Sequence, residues 1–360
     1  MEQPPTLITD INALRHEAPL HHPFVISQRS ASTSTQIRLC LDLANGHSYW
    51  GEAVPVTYVT GETPDTVSAA IGEVRGTIMG RDVMRPAIIA DSLSDILRAA
   101  PSAKAAIEMA LWNAFSGETG IPLWRLWGGA RQWVETSLTI SILPEVVELA
   151  KQAAESGFHT LKVKMGLRSI SDEIERLNQI HQAAPNALLR LDANQAFSPD
   201  EAIDLTHRAS DLGLPIELIE QPTPKEDWAA IDRVARSSPY PVYADEMIKT
   251  PSDALRLVCE TEVQGINVKL MKSGIRDAFR IISIALSAGR SLMLGCMLES
   301  TIGIGVAASL ACGTGAFTAV DLDAHLLISE KMEETQFSPF GPRLVMRQSL
   351  DTLSPSEPSS

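Results

Sequence analysis

Apolar segments in the second half of this chain carry a charged residue at or near their ends, and the charges are evenly spaced. Lys164, Asp192, Glu220, Asp245 and Lys269 follow one another at intervals of 28, 28, 25 and 24 residues. Such an interval holds one strand, one helix and two short connections. The strand segments read SLTISIL, TLKVKM, LLRLDAN, IELIEQP, VYADE, GINVKLM, SLMLGCM and FTAVDLD. Helix signals lie between them. Ser198-Pro-Asp-Glu201 is a capping box with proline at the first helical position, Gly213 lies near the far end, Thr250-Pro251 opens a later helix and Gly289 closes another. Strand and helix in strict alternation give a parallel sheet. An open sheet would scatter the five charges, whereas a closed barrel gathers them at one mouth, so the spacing predicts a (β/α)7β TIM-type barrel over residues 133–325. Asp321 follows Lys269 by 52 residues, two further units, with GCMLES between them.

Residues 1–132 read as a small α+β domain. QIRLCLDLANGHSYWGEAVP is a hairpin with Asn45-Gly46 at its turn and Ile37, Leu39, Leu41 and Leu43 on one face. Thr63 caps a helix that starts at Pro64 and carries the stripe Val67, Ile71, Val74 and Ile78; a second helix is expected over 103–115. Residues 326–360 are expected to return to this domain and to end in a frayed, Ser/Pro-rich tail. A net charge of −14 argues against nucleic acid or anionic membrane as partner. No apolar run of about 18 residues suggests a transmembrane helix. The first residues lack the pattern of a secretory leader. Cys40, Cys259, Cys296 and Cys312 form no CxxC pair, which suggests free thiols in the cytoplasm.

Successive strand side chains face opposite ways, so Lys162 and Lys164 share the inner face. Three carboxylates, Asp192, Glu220 and Asp245, come from consecutive strands. They would repel one another without a cation, and an oxygen-only set suits Mg²⁺, with Mn²⁺ as a substitute. The bland alternative makes each a helix cap or a rim partner of arginine. Lys164 and Lys269 stand on strands two and six, on opposite sides of the ring, with the carboxylates between. Two amines facing each other across a bound carbon acid suit proton removal from one face and delivery to the other, through an enediolate stabilised by the ion. Neighbouring positive charge is expected to lower the lysines toward usable bases. A structural ion network is the alternative.

With these residues in view, the chain resembles the enolase superfamily in its muconate-lactonizing subgroup. The carriers are KVK at 162–164, DAN at 192–194, EQP at 220–222, ADE at 244–246 and VKLMKSGI at 268–275. A Lys base paired with Mg²⁺ is the pattern of that superfamily. GCMLES and the DLD at 321–323 make it most similar to dipeptide epimerases of the L-Ala-D/L-Glu type. The resemblance implies that Asp321 and Asp323 hold a free α-ammonium group. Lys164 and Lys269 each handle one stereoisomer, and Lys162 meets the substrate carboxylate. Thr139 and Cys296 line the pocket. It also implies that loops near 20–32 and 52–62 cover the mouth as a lid, with Tyr58 and Val59 as walls and Arg29 or Gln28 facing the substrate. An arginine in that first loop suits an acidic second residue, while Leu298 suits an apolar one, and both stay open. N-succinylamino acid racemisation, o-succinylbenzoate formation and muconate cycloisomerisation are rival activities of the same machinery. A non-catalytic, metal-dependent dipeptide-binding protein is the rival of another class. A homo-oligomer is left open.

Overall fold

The computed structural model describes residues 4–27, 29–330 and 336–348. Gln28 and the expected C-terminal tail lie outside the described residues. The chain opens with an antiparallel sheet of β1 (Ile8–Ile26), β2 (Arg29–Leu43) and β3 (Ser48–Ala53). Helices α1 (Thr57–Thr60), α2 (Pro64–Ile78), α3 (Pro86–Leu93), α4 (Pro101–Thr119) and α5 (Leu123–Leu126) follow. The Thr63 hydroxyl accepts the Thr66 N–H in a capping box, and Val67, Ile71, Val74 and Ile78 are buried against Ile37, Leu39 and Leu41. Helix α4 runs longer at both ends than the expected 103–115. Pro101 supplies its first φ without needing a partner for an N–H, and Gly120 ends it in the left-handed region.

The barrel comes next. After the short β4 (Trp133–Glu135) run β5 (Leu138–Ile140), α6 (Val146–Glu155), β6 (Thr160–Lys164), α7 (Ile170–Ala183), β7 (Leu188–Asp192) and α8 (Pro199–Asp211). The alternation continues with β8 (Ile216–Glu220), α9 (Trp228–Ser237), β9 (Val242–Ala244), α10 (Pro251–Glu260), β10 (Gly265–Val268), α11 (Leu270–Ser287), β11 (Ser291–Gly295), α12 (Thr301–Thr314) and β12 (Ala319–Asp321). The eight strands β5 to β12 are parallel neighbours in chain order. The Ser137 N–H donates to the Val320 carbonyl (3.1 Å) and ties the first strand to the last. This is the (β/α)7β barrel that the spacing predicts. Leu218, Tyr243, Met293 and Ala319 cluster together. Each lies two residues before a strand-end position, so they form the layer beneath the mouth.

The segment 20–32 is not a loop. Strands β1 and β2 stay paired as far as Ile26 and Arg29, with a register shift between Pro19 and Phe24. Proline cannot donate to a ladder, so the pairing bulges past Pro19 and Pro23 and then resumes. The hairpin tip reaches the barrel: the Ile142 N–H donates to Val25 O (3.1 Å), and Ser27 Oγ to Ala193 O (3.4 Å). After α13 (Ala324–Leu327), Ser329 N–H donates to Pro19 O (2.8 Å). Strands β13 (Phe337–Phe340) and β14 (Arg343–Met346) then pair with β4, and Phe337, Leu344 and Met346 join the barrel core. Among the described residues no helix is long and apolar enough to cross a membrane.

Buried glutamates fasten the first sheet and its helices to the barrel. Glu52 accepts the Ser300 and Gly303 N–H groups (2.8 and 3.3 Å) at the start of α12. Glu108 accepts those of Ile275 (2.5 Å) and Arg276 (2.9 Å), where Gly274 at φ 75° breaks α11. A carboxylate is well suited to the unpaired N–H groups and positive end of a helix. Burial nevertheless pushes the Glu108 carboxyl up to about 7, against the Arg276 N–H, Lys104 and Ile275 N–H that favour its charge. Between pH 4.5 and 7 the folded state thus keeps a proton that the unfolded chain releases. The associated stability, about 3 kcal/mol, is full below pH 4.5 and lost as pH rises through 7. The melting temperature of Glu108→Gln should therefore fall less steeply across that window than that of the parent.

Candidate active site

Lys164, Asp192 and Glu220 stand directly abreast on β6, β7 and β8. Asp245 and Lys269 each follow the last residue of their strand. All five are buried, as is Lys162. Each carboxylate has one oxygen tied from behind. Asp192 Oδ1 accepts the Asn194 N–H (3.1 Å), Glu220 Oε1 accepts Asn267 Nδ2 (2.6 Å), and Asp245 Oδ1 accepts Lys272 Nζ (2.5 Å). The other oxygens meet amines. Lys164 Nζ lies 2.6 Å from Asp192 Oδ2, and Lys269 Nζ 2.7 Å from Asp245 Oδ2. Lys162 Nζ bridges Asp192 Oδ2 (3.0 Å), Glu220 Oε2 (2.8 Å) and Asp321 Oδ2 (2.7 Å).

This departs from the expectation that three acids close directly on an ion. Among the described residues no group of three or more His, Cys, Asp and Glu side chains is placed to hold one as it stands; ammonium groups supply the positive charge. The donor set still fits a hard divalent cation, because the oxygens facing inward are all carboxylate. Among the described residues Glu220 Oε2 has an ion pair with Lys162 but no hydrogen bond, and the buried Glu246 Oε2 has no hydrogen bond either. Burial lowers Lys269, but Asp245, Glu220 and Asp192 outweigh it and hold the amine above its ordinary range. Lys162 is raised in the same way by Asp192, Asp321 and Glu220. Conversely, burial would raise Asp192 and Asp245, and the lysines hold both well below the carboxylate range.

Asp321 receives Ser137 Oγ (2.9 Å) on one oxygen and Lys162 on the other. Asp323 precedes α13, yet its side chain does not cap that helix; it accepts the Thr139 N–H instead (2.6 Å). Thr139, Cys296, Lys162, Lys164, Lys269, Asp321 and Asp323 line one cavity with Asp245 and Glu246, roofed by Phe24, Ile26, Tyr58, Val59 and Leu298. Arg29 lines it as well, its guanidinium 5.4 Å from the Tyr58 ring centre. Its Nε is buried without a partner, and among the described residues no carboxylate pairs with it.

Two family models match the chain. The mandelate racemase / muconate lactonizing enzyme N-terminal domain matches residues 8–128, and the enolase C-terminal domain-like model matches residues 145–344. The chain belongs to the enolase superfamily. Its relatives include the L-Ala-D/L-Glu epimerase of Thermotoga maritima, 38% identical over 89% of this chain and 93% of that protein. The aromatic dipeptide epimerase of Herpetosiphon aurantiacus is 35% identical over 91% of this chain and 92% of that one. A solved structure of a dipeptide epimerase from Enterococcus faecalis, complexed with Mg and L-Leu-L-Tyr, superposes with a TM-score of 0.89 at 31% identity, covering 95% and 98% of the two chains. This enolase-superfamily member is an enzyme of the isomerase class.

Several residues of this superfamily site escape sequence reasoning. Lys272 sits on α11, where a lysine reads as a solvated helix face, yet it is buried and also donates to the Asp245 and Asn267 carbonyls (2.5 and 2.9 Å). Gln221 adopts φ 34°, and its side-chain oxygen accepts the Asp245 N–H (2.9 Å), so one amide links the ends of β8 and β9. Glu246 follows Asp245 and would face outward if the strand continued, but β9 stops at Ala244. Only Asn267 had a usable signal, since it lies two residues before Lys269 and shares its face.

Proposed function

We propose that this chain inverts the α-carbon of the C-terminal residue of a dipeptide by 1,1-proton transfer between Lys164 and Lys269. The observation that carries this is the placement of two buried amines on strands two and six of the ring, with three carboxylates between them. Asp192, Glu220 and Asp245 would hold Mg²⁺, or Mn²⁺ in its stead. When bound, the cation would offset the carboxylate charge that holds Lys269 above its ordinary range and the charge that develops on the substrate as its α-proton leaves. One lysine takes the α-proton, the other returns a proton from the opposite face, and Lys162 pairs with the substrate carboxylate. Asp321 and Asp323 receive the α-ammonium group, and Thr139 and Cys296 line its surroundings. Residues 1–132 act as the lid over the 133–325 barrel, whose closure excludes water from the amines.

Two observations bear on the second residue. Arg29, which pairs with no carboxylate among the described residues, favours a carboxylate side chain, while Phe24, Ile26 and Leu298 favour an apolar one. Relatives named for L-Ala-D/L-Glu and for aromatic dipeptides span both classes. A panel of L,L-dipeptides in D₂O with Mg²⁺ tests the reading and ranks the two. Uptake of α-deuterium supports it. Its absence alongside turnover of an N-succinyl amino acid would transfer the chain to the racemases without a free ammonium group. Dipeptide binding without exchange would leave a binding protein. Asp323→Ala should raise KM for dipeptides by about tenfold or more, the loss of one charge-assisted hydrogen bond. Unchanged kinetics would remove the ammonium role.

A further inference from the structure

Each of the two amines has a neighbour that the other lacks. At Lys269 this neighbour is Gly295. Strands β10 and β11 pair in register up to Val268 and Leu294, which sets Gly295 beside Lys269. A methyl group on Gly295 would stand 2.9 Å from Lys269 Cε and 2.7 and 2.8 Å from the Asn267 amide oxygen and nitrogen. Ordinary carbon contacts are about 3.5–4.0 Å. Gly295 does not have a positive φ, so backbone freedom does not account for the glycine. What it provides is room for the Lys269 stem to lie across the floor of the site. At Lys164 the neighbour comes from the lid. The Lys164 Nζ lies 5.5 Å from the centre of the Phe24 ring, within reach of a cation–π contact.

We infer that Gly295 and Phe24 are positioning residues, each aiming one of the two amines, so that either face of the reaction can be impaired without the other. The inference rests on the two-base reading above. Displacing a reacting group by about 1 Å costs about a hundredfold in rate. Crowding of Lys269 should therefore cost that much on its own face, while crowding of the Asn267 amide that holds Glu220 should add a smaller loss common to both faces.

Net epimerisation cannot reveal this, because the equilibrium constant ties the forward and reverse kcat/KM values together in every variant. Exchange with retention can. A lysine that removes the α-proton mixes it among its three ammonium hydrogens and returns deuterium to the same face in D₂O. The starting isomer is recovered labelled even when the opposite amine fails.

The experiment measures α-deuterium in recovered L,L- and L,D-dipeptide for the parent, Gly295→Ala and Phe24→Leu, with Lys269→Ala and Lys164→Ala marking which isomer belongs to which amine. Gly295→Ala is expected to lower exchange of the Lys269 isomer about a hundredfold and that of the Lys164 isomer by less than about threefold. Phe24→Leu is expected to show a smaller loss on the opposite isomer. Equal losses on both isomers in either variant, or no loss in Gly295→Ala, would overturn the inference. Should Gly295→Ala fail to fold, Phe24→Leu decides alone: loss confined to the Lys164 isomer sustains it, and any other pattern sinks it. A parent enzyme that exchanges neither isomer would refute the two-base reading itself.

Discussion

Lys164→Ala should freeze the α-hydrogen of one dipeptide stereoisomer while the other still exchanges with solvent, and Lys269→Ala should do the reverse. Loss of a positioned general base costs about 10²–10⁴-fold, and here the loss should fall on one face. The geometry makes the division sharp. Lys164 is paired with Asp192 on one side of the ring and Lys269 with Asp245 on the other, and both are buried. Neither amine is within reach of the other's carboxylate oxygen as a hydrogen-bond partner among the contacts of the described residues. Of the other pocket carboxylates, Asp321 and Asp323 are engaged by Lys162 and by the Thr139 N–H, and Glu246 keeps one oxygen without a hydrogen bond among the described residues, so any residual exchange on a silenced face falls to Glu246. Epimerisation should collapse in both variants. NMR of recovered substrate in D₂O separates the cases. Residual exchange of both isomers to the same degree in each variant would rule out two bases.

How much of this site the sequence discloses depends on where each residue sits in the repeating unit. Strand ends are legible because the period of the unit places them, and a charge there breaks an apolar pattern. Asp192, Glu220, Asp245, Lys164 and Lys269 are of that kind, and the barrel follows from the same spacing. Residues one step beyond those charges are not, since alternation fails once the backbone turns. Glu246 and Gln221 lie there, and Gln221 holds a left-handed φ that no propensity predicts for glutamine. Lys272 illustrates another failure: the segment GINVKLM reads as strand up to Met271, but the helix already starts at Leu270, and Lys272 in its first turn is buried. The β1–β2 hairpin is hidden for a third reason. His21-His22-Pro23 looks like a loop, and only the long-range register with β2 makes it a strand. The neighbours of Lys164 and Lys269, Phe24 and Gly295, come from this unread hairpin and from an adjacent strand, and neither can be found without three-dimensional contacts.

Lys162→Met should be among the most destabilising single changes in the chain, and Mg²⁺ should repair much of it. Lys162 is 1% exposed and its amine touches carboxylates from three strands, Asp192, Glu220 and Asp321. Methionine fills a similar volume, so the loss is electrostatic rather than a cavity. Removing one partner of a buried ion pair costs about 3–5 kcal/mol, and this amine serves three partners. Burial and the charge on Asp192 already push the Glu220 carboxyl above its ordinary range while Lys162 opposes them. Without the amine, Glu220 should take up a proton more readily, and the variant should lose more stability as pH rises than the parent does. A cation bound among the same oxygens would replace the missing charge. At a hundredfold excess over Kd, ligand binding adds about 2.7 kcal/mol to stability, and in the variant the ion no longer competes with the Lys162 amine for Asp192 and Glu220. The rise in melting temperature on adding Mg²⁺ should therefore be larger for Lys162→Met than for the parent. A variant as stable as the parent without Mg²⁺ would mean that Lys162 is not the charge that holds these acids together. An equal or smaller Mg²⁺ response would mean that amine and ion do not both draw on Asp192 and Glu220.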